Sequence, residues 1–166
     1  AVTFVDNHDS QPLQALESYV DFWFRPLAYA LIMLREQGIP CLFYPDLYGC
    51  NYQDEDQEVS LAALVELPEL CRLRKEISYG EQRDYFDHPN CVGWTRAGDD
   101  EHPQSGLAVV MSNAEEGFKD MEMGAQHAGR TLVDALGHIA EEIVVNEAGW
   151  ARFHCMAGSV SVWILK

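Results

Sequence analysis

The residues best equipped for chemistry lie near the start of the chain, in Val5-Asp6-Asn7-His8-Asp9-Ser10-Gln11. Two carboxylates, an imidazole and two amides fall within one short stretch. Three chemistries use such a set. An Asn-His-Asp cluster can hold a metal ion, as in metal-dependent phosphoesterases. A carboxylate beside a histidine can do acid/base or electrostatic work in a glycosidase. In the third reading the cluster is structural, with Asp and Asn side chains capping the backbone of the following turn. Residue types and spacing leave all three open.

The elements around the cluster must position it. Val2-Thr3-Phe4-Val5 reads as a short buried strand. It would deliver the cluster at its C-terminal end, where parallel barrels carry their catalytic groups. A helix is expected over residues 24–37, with Pro26 near its start and Gly38 and Pro40 ending it. Residues 39–44 read as a second buried strand, closed by the turn Pro45-Asp46. A second helix is expected over residues 59–75, with Leu61, Leu64, Leu67, Leu70 and Leu73 recurring at every third position and Pro68 kinking or splitting it. Strand–helix–strand–helix is the unit of a parallel α/β sheet. Parallel sheets are covered on both faces, so two units are expected to need neighbours. The chain also opens inside a strand-like run, without Met or signal peptide, and is expected to be the tail of something larger.

From Tyr79-Gly80 onward the rhythm changes. Short β-rich runs cover residues 83–86, 91–96, 106–112, 130–133, 142–145, 150–155 and 159–165. Asn146-Glu147-Ala148-Gly149 reads as a hairpin turn, and Asp54-Glu55-Asp56 as a solvated loop. Strands at this spacing suggest an antiparallel sandwich. Its core is expected to take Trp94, Trp150 and Trp163, which are read as packing residues rather than sugar platforms.

Composition narrows the partners. With 27 acidic and 11 basic residues the net charge is −16, a field that repels phosphate backbones, so no nucleic-acid partner is expected. No window is apolar enough for a membrane span, so no membrane partner is expected either. The five cysteines, Cys41, Cys50, Cys71, Cys91 and Cys155, are odd in number and form no C-x-x-C pair, which points to free thiols in a reducing compartment. His88, His102, His127, His138 and His154 show no zinc-ligand spacing.

Several blocks, in order, carry a resemblance. Phe4-Val5-Asp6-Asn7-His8-Asp9-Ser10-Gln11 resembles the F-V-D-N-H-D-S/T-Q block that ends the seventh barrel strand of α-amylases in glycoside hydrolase family 13. Trp23-Phe24-Arg25-Pro26-Leu27-Ala28-Tyr29-Ala30 is similar to the helix start that follows it, and Gly38-Ile39-Pro40-Cys41-Leu42-Phe43-Tyr44-Pro45-Asp46 to the eighth strand and its loop. Tyr79-Gly80-Glu81-Gln82-Arg83-Asp84-Tyr85-Phe86 resembles the start of the family's C-terminal sandwich, which Val92-Gly93-Trp94-Thr95-Arg96 and Gly158-Ser159-Val160-Ser161-Val162 continue. The nearest resemblance is to the cytoplasmic-type bacterial members.

The resemblance implies an α/β plus all-β chain: the last two βα units of a (β/α)8 TIM barrel over residues 1–78, then a C-terminal Greek-key β-sandwich over residues 79–166. It implies retaining hydrolysis of α-1,4-glucan, with the remainder of the barrel and an α-glucan as partners. The family's nucleophile and acid/base lie on strands this chain does not contain. Asp9 matches the third carboxylate, which stabilises the transition state, and His8 matches a histidine that binds the same sugar. Gln11 is expected to line a neighbouring subsite, while Asp6 and Asn7 support the turn. The expected location is cytoplasmic. Secreted relatives bind calcium through aspartates at positions matching Asn90 and Asn113; two amides remove two negative charges from a hard-cation site, so no cofactor is expected in this chain, and calcium is left to the intact protein. The rival class is a non-catalytic glucan-binding or packing module.

Overall fold

The computed structural model describes residues 1–166. Strand β1 (Val2–Phe4) pairs in parallel with β2 (Ile39–Cys41), setting Val2 opposite Ile39 and Phe4 opposite Cys41. The expected burial of both strands holds only in part: Thr3 and Pro40 are half-buried, but Val2 is 65% exposed and Ile39 69%, because no further strand of this chain pairs with the two. The connection carries helix α1 (Arg25–Leu34), with Pro26 in its first turn. Leu27, Ala30, Met33 and Leu34 share its buried face at helical spacing.

Helix α1 ends three residues before the expected stop. Its last carbonyls find partners outside the helix. Arg74 Nη1 donates to the carbonyls of Met33 (2.7 Å) and Arg35 (2.9 Å), and Ser78 Oγ donates to that of Leu34 (2.8 Å). With those acceptors satisfied, Arg35 turns to an extended conformation.

The next segment departs further from expectation. Tyr44-Pro45-Asp46 opens a short helix, α2 (Tyr44–Tyr48), rather than a turn. A hairpin follows, β3 (Cys50–Asp54) against β4 (Gln57–Leu61), with Glu55 at its tip at φ 50°. Val59 and Leu61 therefore lie in a strand, and helix α3 runs from Leu67 to Glu76. Pro68 stands in its first turn, so this residue starts the helix instead of kinking it. Leu67, Leu70 and Leu73 are fully buried.

The remaining strands are β5 (Gln82–Tyr85), β6 (Cys91–Arg96), β7 (Leu107–Ser112), β8 (Gly117–Glu122), β9 (Thr131–Asp134), β10 (Ile143–Val144), β11 (Trp150–Cys155) and β12 (Val160–Leu165). Six form one antiparallel sheet in the order β10-β9-β12-β7-β6-β5, and β8 and β11 form a separate antiparallel ribbon. Strand β8 was not expected, since Lys119 and Asp120 interrupt its apolar pattern. Lys119 is nevertheless buried, with its ammonium on Asp87. The turn at residues 146–149 is present but joins no hairpin: β10 pairs with β9 and β11 with β8, so the turn carries the chain between sheets.

The large sheet is buried on both faces. On one, Trp94, Val109, Met111, Val160 and Val162 pack with the leucines of α1 and α3. On the other, Ala108, Val110 and Trp163 meet Met121, Phe153 and Cys155 of the ribbon. Each fully buried side chain of this size contributes about 1.5–3 kcal/mol. Trp94 and Trp163 are core residues as expected, whereas Trp150 is 38% exposed on the outer face of the ribbon. The helical half and the sheet half thus share a core across Tyr79-Gly80. Their backbones touch there: Gly98 N–H donates to Tyr79 O and Gly106 N–H to Ile77 O, each at 2.9 Å.

Candidate active-site edge at the end of the first strand

Directly after β1 the chain dives inward at Asp6, which is 3% exposed. Its Oδ1 accepts the Val20 N–H at 3.0 Å, and its Oδ2 lies 3.1 Å from Arg25 Nε. Arg25, at the start of α1, is itself buried; Nε–H donates to Val20 O (2.9 Å) and Nη1–H to Asp46 Oδ1 (2.7 Å). Tyr29, one helical turn on, donates its hydroxyl to Asp46 Oδ2 at 2.6 Å. One guanidinium therefore holds two buried carboxylates and ties the exit of β1 to the start of α1 and to the loop after β2. Burial pushes the Asp46 carboxyl up, against the opposing pull of the Tyr29 hydroxyl and of Arg25. Burial also raises Tyr29, and its bond to Asp46 adds to the effect, so the hydroxyl stays a donor.

Above this anchor the chain makes a tight turn. Asn7 Oδ1 accepts the N–H groups of Asp9 (2.8 Å) and Ser10 (3.1 Å), a local cap that sets the direction of the next two side chains. His8 and Asp9 project outward, 83% and 63% exposed, with His8 Nε2 3.3 Å from Asp9 Oδ1. Gln11 is half-buried; its N–H donates to Asn7 O at 3.2 Å, and its side chain bonds to neither His8 nor Asp9. The structure brings His8 and Asp9 together and leaves Gln11 beside them.

An exposed carboxylate on a braced turn can act as a fixed anion. Alone it cannot perform a displacement that needs two carboxylates flanking a glycosidic bond. No group of three or more His, Cys, Asp or Glu side chains in this chain is arranged to hold a metal ion. The backbone of Asn113 donates to Asn90 O at 3.1 Å, which places those two positions side by side. Both side chains there are amides and bring no negative charge. The Arg25–Asp46–Tyr29 network was missed from sequence. Its signal was present, a lone Arg and a lone Asp each set among apolar and aromatic residues in Trp23-Phe24-Arg25-Pro26 and Phe43-Tyr44-Pro45-Asp46.

A family model described as alpha-amylase C-terminal matches residues 107–164. Over its whole length the chain is 47% identical to the cytoplasmic alpha-amylase of Escherichia coli strain K12 and 47% identical to an alpha-amylase of Bacillus licheniformis. The chain belongs to the α-amylases of glycoside hydrolase family 13. It corresponds to their C-terminal portion, spanning 34% and 32% of the two relatives, about a third of each. An Anoxybacillus α-amylase structure superposes on 98% of the chain with a TM-score of 0.64, at 15% identity and over 37% of that structure, which shows the shared fold. In this α-amylase portion no helix is long and apolar enough to cross a membrane.

Proposed function

We propose that this chain is part of an α-amylase that hydrolyses internal α-1,4-glucosidic bonds of starch or glycogen with retention of configuration. Residues 1–78 supply the last two βα units of a (β/α)8 barrel, and residues 79–166 a Greek-key sandwich packed against its helices. Asp9 is the carboxylate that stabilises the transition state, His8 holds the same sugar, and Gln11 lines the next subsite. Nucleophile and acid/base come from the remainder of the barrel, and the chain alone is inactive. The observation that carries this reading is the braced delivery of Asp9 and His8 at the C-terminal end of a parallel strand, over the buried Asp6–Arg25–Asp46 anchor.

The geometry supports this chemistry. A positive charge that develops on the sugar ring in the transition state is favoured by an anion already fixed beside it. Asp9 can supply that charge because its turn is held by Asn7 and not by the carboxylate itself. His8, beside it, can donate to a ring hydroxyl. The protein works in the cytoplasm, and calcium, where the intact enzyme takes it, is not held at Asn90 and Asn113. By itself the chain acts as a packing module: Val2, Phe4 and Ile39 are more than half exposed on β1 and β2, an apolar surface suited to neighbouring barrel strands. Proton NMR of starch digestion by the intact enzyme tests the reading. New reducing ends must appear first as the α-anomer, and the isolated chain must release none. First appearance of the β-anomer overturns the mechanism.

A further inference from the structure

An opening of about 660 Å³ lies between the loop after β6 and the turn at Ala125–His127, beside the seam where the helical half meets the sheet. Eight of its twelve lining residues carry polar or charged side chains, among them Asp99, His102, Gln126 and Arg130. It is remote in sequence from Asp9, and the proposed mechanism makes no use of it.

One wall is a fixed flat ring. His102 stacks on Tyr79 with ring centroids 3.5 Å apart and planes 3° from parallel. Asp99 locks it in place, Oδ1 meeting both the His102 backbone N–H (2.9 Å) and ring Nδ1 (2.8 Å). Tyr79 covers one face, and the ring keeps 38% of its side-chain surface exposed.

The other wall offers donors and acceptors. Arg130 is half-buried and paired with no carboxylate, although the chain carries an excess of acids. Its Nη2–H donates to Gln104 Oε1 at 3.0 Å, which orients the guanidinium and leaves further N–H groups unused. Gln104 does this from φ 73°, a conformation that non-glycine residues seldom adopt and that concentrates at functional positions. Gln126 is tied through Nε2 to Ala97 O (3.2 Å), which leaves its carbonyl oxygen as an acceptor. His127, only 6% exposed, gives Nε2–H to Ala97 O at 2.7 Å, and its buried Nδ1 has no partner within the chain. Such an orphan acceptor is of the kind that an ordered water or ligand hydroxyl completes.

These features select the ligand. Asp99 and Asp100 at the rim, on a chain of net charge −16, disfavour an anion despite Arg130. Polar and charged side chains mixed with Ala97, Pro103 and Leu165 disfavour a wholly hydrophobic molecule. A flat ring face, unused donors and unused acceptors together fit a neutral polyhydroxylated ring. We infer that this cleft binds a short α-glucan segment of about two to three rings, by the usual size of small-molecule sites, stacked on His102 and held by Arg130 and Gln126. The choice of an α-glucan among neutral saccharides rests on the proposed amylase function. A second contact on the same molecule raises the effective concentration of polymer at the enzyme.

Maltotriose titrated into the 166-residue chain, followed by amide chemical shifts, tests this directly, with cellotriose and inorganic phosphate as the other arms. Maltotriose should move amides in residues 97–105 and 126–130, and Arg130→Ala should weaken that binding roughly tenfold, the usual effect of a charge-assisted hydrogen bond. Gln126→Ala, a change at an exposed side chain, should weaken it less and guards against misfolding of the first variant. Silence of these amides, equal binding of cellotriose, or a response to phosphate alone would each overturn the inference. Starch hydrolysis by the intact enzyme is measured alongside. Hydrolysis with a silent cleft removes this inference only, whereas a cleft that binds maltotriose in an enzyme that cannot cut starch removes the amylase reading only.

Discussion

Arg25 and Asp46 form an ion pair at 2.7 Å whose side chains are 5% and 0% exposed, and the same guanidinium faces buried Asp6 at 3.1 Å. Two carboxylates thus depend on one cation for their compensation. Arg25→Met keeps the bulk and removes the charge, leaving both acids buried and unpaired. It should lower stability by about 3–5 kcal/mol, read by urea unfolding. A loss below about 1 kcal/mol, the scale of exposed pairs, would show that the network is not buried as described.

The seam between the halves makes a separate demand. At Gly80, φ is 82° and a Cβ would stand 2.1 Å from the carbonyl oxygen of Gly98. Gly80→Ala should therefore cost well over the roughly 1–2 kcal/mol of left-handed strain alone, because backbone must move. Gly137, at φ 73° with nothing within 4 Å of its Cβ position, supplies the comparison. Its Ala variant should show only the strain. Equal melting temperatures for the two variants would contradict the seam.

Cys155 is pushed up to about 12, by burial first and by neighbouring Cys91 second, and burial raises Cys91 as well. In the unfolded chain both thiols ionise near pH 8.5. The folded values lie above the unfolded ones, so the contribution is full below about pH 8.5 and is lost as the pH rises toward the folded values. Urea midpoints should fall between pH 8 and 10, and Cys155→Ala should flatten that decline. Exposed Cys41 should alkylate first and the two buried thiols last. Early labelling of Cys155 would contradict the buried pair.

How much of this was legible in the residues depended on whether a pattern had one local cause. Cys91–Arg96 and Trp150–Cys155 were read to the residue, because apolar runs between turn clusters have few alternatives. Strand β8 was hidden because Lys119 is buried by a partner distant in sequence, Asp87. Leu61 was assigned to a helix because spacing by threes continues from it into α3, although Gln57–Leu61 also alternates as a strand should. At the site, local residue types suggest a capped turn, which Asn7 forms, whereas Asp9 and His8 are singled out only by the family resemblance. The Arg25–Asp46 pair joins positions 21 residues apart, a contact that only the packed fold creates.

Asp9 carries the charge on which the proposed chemistry depends. In the intact enzyme, Asp9→Asn keeps the shape and part of the hydrogen bonding while removing the fixed anion. Steady-state kinetics on starch, with the melting temperature of the same preparation, measure the consequence. We expect kcat to fall by on the order of 10²–10³ with little change in KM and none in the melting temperature, since the side chain is 63% exposed. Near-normal turnover per folded molecule, or a loss of activity that merely follows a lowered melting temperature, would contradict a catalytic role for Asp9.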